Sequence, residues 1–280
     1  DEDELINHNH KVIAGQITLQ QSEIFGNINV AEFMDKNWEK PEKSPGLQSL
    51  AGHCNKITSW VIQTILSGKD QKDQTNKYIK FIKIAHHLNS LRNYNSCVAV
   101  LGGIESAPIS RLKRFKNIPD RHQAKLEKLK EIFSPFNSYS NYRALPTGPR
   151  CIPLMGIYLR DLTFSYDGNP IYLDEESKTI VNFDRMKLVA NRVLEIISLE
   201  VTPYLFEINT VPKLKQLINN LTIVNPDELY EQSLKIQPLK SNKSPKQRIE
   251  ELEIEKKQMK ADYQLRLEEI YEKLKSTEST

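Results

Sequence analysis

The chain has 280 residues, of which 39% are hydrophobic and 27% are charged, and its formal net charge is only +3. A chain of this length and composition can bury a substantial core, as one large domain or as one domain with an appendage. The near-neutral charge balance argues against partners such as nucleic acid or an anionic membrane, which bind through an overall positive field.

The three cysteines, Cys54, Cys97 and Cys151, are odd in number, widely spaced and set in apolar surroundings. This pattern predicts reduced core thiols rather than a disulfide framework or a zinc site. The chain opens on acidic residues and contains no run of about 18 apolar residues, so we expect a soluble, cytoplasmic protein. Gly102-Gly103 does not belong to a phosphate-binding glycine motif, and we expect no cofactor and no metal site.

Residues 1–11 are acidic and polar and predict a flexible N-terminus. From Val12 an apolar periodicity predicts an amphipathic helix that is capped near Thr18. Residues 47–67 and 74–93 carry further helical stripes, separated by a break at Gly68-Lys69-Asp70. His86 and His87 are adjacent on the second of these helices, where their side chains diverge by about 100° and cannot easily share a metal ion.

Residues 111–130 contain eight basic and two acidic side chains. Such a segment could approach a membrane or a nucleic acid. Phe115 is the only Phe, Tyr or Trp among these residues, which is too few for stacking on successive bases and favours a solvated helix face and no nucleic-acid partner.

The segment Ile152–Pro170 predicts one helix of a hairpin. Pro153 can open a helix, because its missing N–H would be unpaired in the first turn. An apolar stripe follows, and Asp167-Gly168-Asn169-Pro170 predicts the stop. A second helical pattern runs from Phe183 to Ile197, so the two helices and their turn-rich connection predict a helical hairpin.

Beyond a polar linker at residues 241–245, residues 246–280 carry a coiled-coil-like stripe with one stutter. Eight basic and eight acidic residues flank it between positions 246 and 275. An isolated helix of this length is only marginally stable, so it needs a partner. A second copy of the chain, which would give a homodimer, is favoured over a clasp on the preceding domain or another protein.

The hairpin segment resembles the most diagnostic stretch of the Ras-family guanine-nucleotide exchange factors, the RasGEF catalytic domain. The matching positions are Pro153, Gly156, Tyr158, Leu159, Asp161, Leu162, Thr163, Phe164, Asp167, Gly168, Asn182 and Phe183. Further matches follow in the family's order: residues 13–25, Glu32-Phe33, Trp38, residues 91–95, Pro108–Leu112, Asn141–Arg143, Thr202–Tyr204 and residues 230–238. The resemblance implies an all-α, multi-helix catalytic domain over residues 12–240 with a protruding helical hairpin.

The resemblance implies a protein that promotes GDP release and GTP loading on a small GTPase of the Ras, Rap or Ral type. In that family the hairpin inserts between the switch regions of the GTPase, and no covalent chemistry is needed. By position, Thr163 would exclude the ligands of Mg²⁺, and Asp167, one turn further, would repel the phosphates and pair with the phosphate-loop lysine. Leu159, Arg160 and Leu162 complete the implied catalytic set.

The resemblance also implies a hydrophobic pocket for the second switch segment. Its lining would be Val98, Glu105, Tyr139 and Leu154, with Ala51 and His53 at the edge. The chain departs from the family pattern at Gly15, Ala51, Glu105 and Arg160. The changes at Ala51 and Glu105 could alter which GTPase is accepted, and Arg160 replaces a usual threonine on the first hairpin helix.

Several alternatives remain open on sequence grounds. Leu159 and Leu162 could be core residues, Asp161 could pair within the domain, and Asp167 could be only a turn residue before Gly168. The substituted pocket residues also allow a degenerate RasGEF-like module that binds a GTPase or another protein without exchanging nucleotide. In either case we expect contact with a membrane only through the GTPase.

Overall fold

The computed structural model describes residues 2–146, 150–174, 176–199 and 208–239, together with Glu253, Lys256 and Lys257. Over these residues the fold is all-α, as the sequence predicts, and its only extended pairings are two isolated bridges, Asn93–Ile152 and Tyr172–Val181. The helices are α1 (Glu2–Asn7), α2 (His10–Gly26), α3 (Pro45–Leu66), α4 (Gln71–Ser90), α5 (Tyr94–Glu105), α6 (Ala107–Ser110), α7 (Asp120–Ile132), α8 (Phe136–Arg143), α9 (Met155–Asp167), α10 (Phe183–Ile197), α11 (Pro212–Asn219) and α12 (Pro226–Ile236). Short 3₁₀ helices lie at Val30–Phe33, Asn37–Glu39, Pro41–Lys43 and Lys113–Asn117.

The chain divides into two units, Asp1–Ile236 and Gln237–Thr280. The break falls a few residues before the boundary at 240 that the sequence predicts. In the second unit, Glu253, Lys256 and Lys257 are helical. The rest of the predicted linker (241–245) and C-terminal helix (246–280) lies outside the described residues.

The core of the first unit is built around α3, α4 and α5, which pack on one another, with α2 lying against α4. Trp60 of α3 and Phe81 of α4 are completely buried and meet edge to face, with ring centroids 4.8 Å apart. Buried aromatic side chains contribute large apolar areas and a preferred ring geometry. The predicted stripes at 47–67 and 74–93 therefore form the central layer of the domain.

The expectation of a flexible start at residues 1–11 is wrong. Residues 2–7 form α1, and Leu5 and Ile6 have 0% and 3% of their surface exposed, because α1 packs on α2, α3 and α11. The cap of α2 also differs from the prediction: the Asn9 side chain accepts the Lys11 N–H at 2.9 Å. Thr18 lies inside this helix, where its hydroxyl donates to the Ala14 carbonyl.

Two side chains of α2 hold the segment that precedes and opens α11. Gln16 donates to the Asn209 carbonyl and accepts the Val211 N–H, both at 2.8 Å, and Gln20 donates to the Lys215 carbonyl at 2.8 Å. A Cβ at Gly15 would lie 2.9 Å from the Ile208 side chain. The glycine at this position therefore allows the close approach that these hydrogen bonds require.

The cysteines are free thiols that lie in the domain core or at its border. Burial raises the pKa of Cys54 to about 11 and that of Cys151 to about 12, and it raises the pKa of Cys97 as well. Among the described residues, no helix has the length and apolar character needed to span a bilayer, and no group of three or more His, Cys, Asp or Glu side chains could hold a metal.

Candidate functional site

Helices α9 and α10 pack against each other as a hairpin. The inner face of α9 is formed by buried side chains at helical spacing, namely Tyr158, Leu162, Ser165 and Tyr166. Its opposite face carries Gly156, Arg160, Thr163, Phe164 and Asp167, which recur at i, i+4, i+7, i+8 and i+11. Because those intervals return to one side of a helix, these five residues form a single outward face. Phe164 is 66% exposed there.

Asn182 closes the hairpin by three hydrogen bonds. Its side-chain oxygen accepts the Arg185 N–H at 3.0 Å and so caps α10. Its side-chain amide donates to the Pro170 carbonyl at 3.0 Å, and its backbone N–H donates to the Ile171 carbonyl at 2.9 Å. This one residue therefore fixes both the start of α10 and the connection that leads to it.

The base of the hairpin is attached to the start of α5 by backbone pairing. The Tyr94 N–H donates to the Ile152 carbonyl, and the Ile152 N–H donates to the Arg92 carbonyl, both at 3.0 Å. The Leu154 N–H then donates to the Tyr142 hydroxyl at 2.9 Å. Helix α9 begins at Met155, two residues after the proline that the sequence predicts as its opening.

A bidentate ion pair joins α8 to α9. The two terminal nitrogens of Arg143 lie 2.7 Å from the two carboxylate oxygens of Asp161, whose side chain is 17% exposed. The Asp161 carboxylate raises the pKa of Arg143, and the Arg143 Nε–H also donates to the Ser138 carbonyl. Asp161 thus pairs within the domain, which is the alternative that the sequence left open for it.

Tyr139 and Arg160 meet across the same junction. The Arg160 guanidinium lies 5.2 Å from the centre of the Tyr139 ring, within the range of a cation–π contact. Asn137, Ser138 and Tyr139 all have positive φ, from 48° to 63°, a conformation that is unusual for residues other than glycine. This left-handed turn inside α8 brings the tyrosine ring to the hairpin.

The two principal catalytic candidates are Thr163 and Asp167. Thr163 is half-buried, and its hydroxyl donates to the Leu159 carbonyl one turn earlier, which leaves its methyl group as the side chain's remaining surface. Asp167 is the last residue of α9, is 56% exposed, and forms an ion pair with Lys36. Leu159 is half-buried against the core, and Leu162 is completely buried. Leu162 is therefore placed as a packing residue of the hairpin.

The predicted pocket residues occupy two kinds of position. Val98, Tyr139 and Leu154 are half-buried apolar side chains at the border of the core. Ala51 and Glu105 are exposed on α3 and α5, and Glu105 pairs with Lys130 of α7 at 3.2 Å. The Glu105 carboxylate is therefore exposed and paired with a cation of its own domain.

His53, predicted at the pocket edge, lies in the interior instead and is only 8% exposed. Its Nδ1 lies 3.5 Å from the Gln21 side-chain amide, and its Nε2 lies 3.3 Å from the Gln20 side-chain oxygen. A neutral ring with its proton on Nε2 satisfies both glutamines. Burial, together with the charge of Lys56, lowers the pKa of His53 to about 4.

The family model described as the RasGEF domain matches residues 12–187 of this chain. The chain belongs to the RasGEF family. It is 33% identical over 239 residues to Ras guanine nucleotide exchange factor I of Dictyostelium discoideum, an alignment that covers 83% of this chain and 28% of that protein. It is 30% identical over 233 residues to Ras-specific guanine nucleotide-releasing factor 2 of Danio rerio, covering 81% of this chain and 18% of that protein.

The chain thus spans less than a third of the length of these two relatives. The matched RasGEF region contains α2 from Val12 onward, α3 to α9, the hairpin connection and the first residues of α10. It therefore includes both the outward face of α9 and the start of the second hairpin helix.

Lys36 and Trp38 contact the candidate site in ways that the sequence did not indicate. Lys36 contacts Asp167, and Trp38 packs on Tyr166 with ring centroids 5.8 Å apart. Lys36 and Asp167 are separated by 131 positions. No periodicity or local motif could have paired them, although Trp38 was among the residues that resembled the family.

Proposed function

We propose that this RasGEF domain promotes release of GDP from a Ras-family small GTPase by inserting the α9–α10 hairpin between the switch regions. The observation that carries the proposal is the outward face of α9, where Thr163, Phe164 and Asp167 lie together on the side opposite the buried residues. An apolar aromatic, a threonine methyl group and a carboxylate suit a surface that has to displace a cation and phosphates.

The chemistry required is displacement rather than bond making. A Ras-type GTPase holds its nucleotide through backbone amides, a lysine and Mg²⁺. Accelerating release by about 10⁴-fold requires roughly 5.5 kcal/mol of preferential stabilisation of the open state from which the nucleotide leaves. Asp167 would repel the phosphates and pair with the lysine, and Thr163 would fill the space of the metal's ligands.

The remaining stabilisation would come from apolar contacts beside the hairpin. Val98, Tyr139 and Leu154 would receive an apolar side chain of the second switch segment, with Ala51 and Glu105 at the margin. Apolar anchors that enter such pockets supply most of the binding energy of protein interfaces. Arg160 supports the same surface by covering the Tyr139 ring.

The direct test is the release of a fluorescent GDP analogue from a panel of Ras, Rap and Ral GTPases, with and without the domain. We expect accelerated release from at least one of them. Because coupling is reciprocal, added nucleotide should dissociate the complex of that GTPase with the domain. Stable binding to a nucleotide-free GTPase without any acceleration would instead identify a binding module, and neither binding nor acceleration with any of them would refute the proposal.

A further inference from the structure

The Asp167 carboxylate, which is proposed to face the phosphates, forms an ion pair with a lysine of its own domain. The Lys36 ammonium lies 2.6 Å from one carboxylate oxygen of Asp167 and 2.7 Å from the other. It is also 3.8 Å from Glu39. Both oxygens of Asp167 therefore face the same ammonium group.

The backbone conformation of residues 35 and 36 places the Lys36 side chain beside Asp167. Asp35 and Lys36 have φ values of 48° and 55°, in the left-handed region that costs free energy for residues with a Cβ. The Asp35 N–H donates to the Tyr166 hydroxyl at 2.9 Å, and Trp38 packs on the ring of the same tyrosine. The loop is thus fastened to α9 at the residue next to Asp167.

We propose that Lys36 is a regulatory positioning residue, an internal cation that holds Asp167 until the lysine of the bound GTPase replaces it. This inference rests on the proposed function. The Lys36–Asp167 pair then slows GDP release, because this contact has to break each time Asp167 binds the GTPase.

Electrostatics sets the direction of the effect. A carboxylate at the C-terminal end of a helix meets the negative end of the helix dipole, and a nearby cation offsets that repulsion. Two ammonium groups at one carboxylate repel each other, so the second cation binds more weakly while the first remains. The bond from Lys36 to Asp167 is also the main cause that raises the pKa of Lys36.

The size of the effect follows from exposure. The side chains of Lys36 and Asp167 are 28% and 56% exposed, and solvent weakens ion pairs of this kind. Pairs at such positions change an equilibrium by about five-fold at most. Removing Lys36 should therefore accelerate GDP release by about two- to five-fold.

The test is a double-mutant cycle on GDP release with Lys36→Met, Asp167→Asn and both together. Methionine keeps an unbranched side chain in the left-handed position and removes the charge together with the hydrogen bond to Asp167. Lys40→Met is the matched control, since Lys40 is an exposed lysine of the same segment. We expect Lys36→Met to accelerate release about two- to five-fold, Lys40→Met to leave it unchanged, and Lys36→Met to have no effect when Asp167 is already asparagine.

The outcomes separate this inference from the proposed function. If Asp167→Asn releases GDP more slowly than wild type but Lys36→Met releases it at the wild-type rate or more slowly, the role of Lys36 is refuted and the proposed function is not. The same holds if Lys36→Met accelerates GDP release equally in the wild-type domain and in the Asp167→Asn variant. Equal release by wild type and Asp167→Asn would remove the acid from the mechanism and Lys36 with it. NMR titration of the Lys36 Cε resonance gives a readout independent of exchange: its pKa should be higher in wild type than in Asp167→Asn, and equal values would refute the contact.

Discussion

The ion pair between Arg143 and Asp161 should determine how firmly the hairpin is attached to the rest of the domain. The perturbation that tests this is Arg143→Met, which keeps most of the side-chain length and removes the guanidinium. The variant loses both 2.7 Å contacts to Asp161 and the bond from Nε to the Ser138 carbonyl. It also leaves the 17%-exposed Asp161 carboxylate without this cation.

The magnitude follows from the geometry. Charge-assisted hydrogen bonds contribute roughly 1.5–3 kcal/mol, whereas fully exposed ion pairs contribute about 0–1 kcal/mol. Arg143 is 37% exposed and Asp161 is 17% exposed, so the pair lies between these limits. We expect Arg143→Met to lower the free energy of unfolding by about 2 kcal/mol, which corresponds to a fall in melting temperature of roughly 4–8 °C. Asp161→Asn should cost less, about 1 kcal/mol, because the more exposed arginine can be hydrated.

Urea denaturation followed by circular dichroism measures these changes in the free energy of unfolding. The control is Arg192→Met, which removes one partner of the exposed Arg192–Glu195 pair on α10 and should cost less than about 0.5 kcal/mol. A change for Arg143→Met no larger than that of the control would refute the view that this pair attaches the hairpin to the rest of the domain.

Three further predictions concern the pocket, the interior histidine and the C-terminal segment. Leu154→Ala should weaken the complex with nucleotide-free GTPase by about 2 kcal/mol, measured by titration calorimetry, and wild-type affinity would place the pocket elsewhere. Burial lowers the pKa of His53 in the folded protein to about 4, from an ordinary value of 6.5, so the unfolded chain takes up the proton first as the pH falls. The free energy of unfolding should therefore fall between pH 6.5 and 4 by up to about 3 kcal/mol more in wild type than in His53→Gln, and parallel pH profiles would contradict this. Removal of residues 241–280 should convert a dimer into a monomer, as measured by light scattering, and leave the GDP-release rate nearly unchanged. An unchanged oligomeric state with an altered GDP-release rate would instead favour packing of this segment on the catalytic domain.

The hairpin could be predicted from the sequence because its determinants are local. Apolar periodicity defines α9 and α10, the Asp167–Pro170 turn ends the first helix, and Asn182 caps the second. The two central stripes at 47–67 and 74–93 were predictable for the same reason. Such signals act over three or four residues, so they do not depend on knowing the tertiary structure.

Contacts between distant segments could not be predicted in this way. The Lys36–Asp167 pair depends on a left-handed turn packed on Tyr166, and neither feature has a local sequence signal. Leu5 and Ile6 look like isolated apolar residues in a polar start until α2, α3 and α11 provide a surface for them. His53 was placed at the pocket edge because position alone does not reveal burial between two glutamines.

The central claim, that the outward face of α9 displaces nucleotide, is tested most directly by stopped-flow release of fluorescent GDP with the wild-type domain, Thr163→Lys and Asp167→Asn. A lysine at position 163 would bring a long cation towards the Mg²⁺ site and the phosphate-loop lysine, and asparagine at position 167 would remove the charge that repels the phosphates. We expect both variants to keep wild-type helical content and to slow release, Thr163→Lys more strongly. Full-rate release by the folded Thr163→Lys variant would contradict insertion of this face at the metal site.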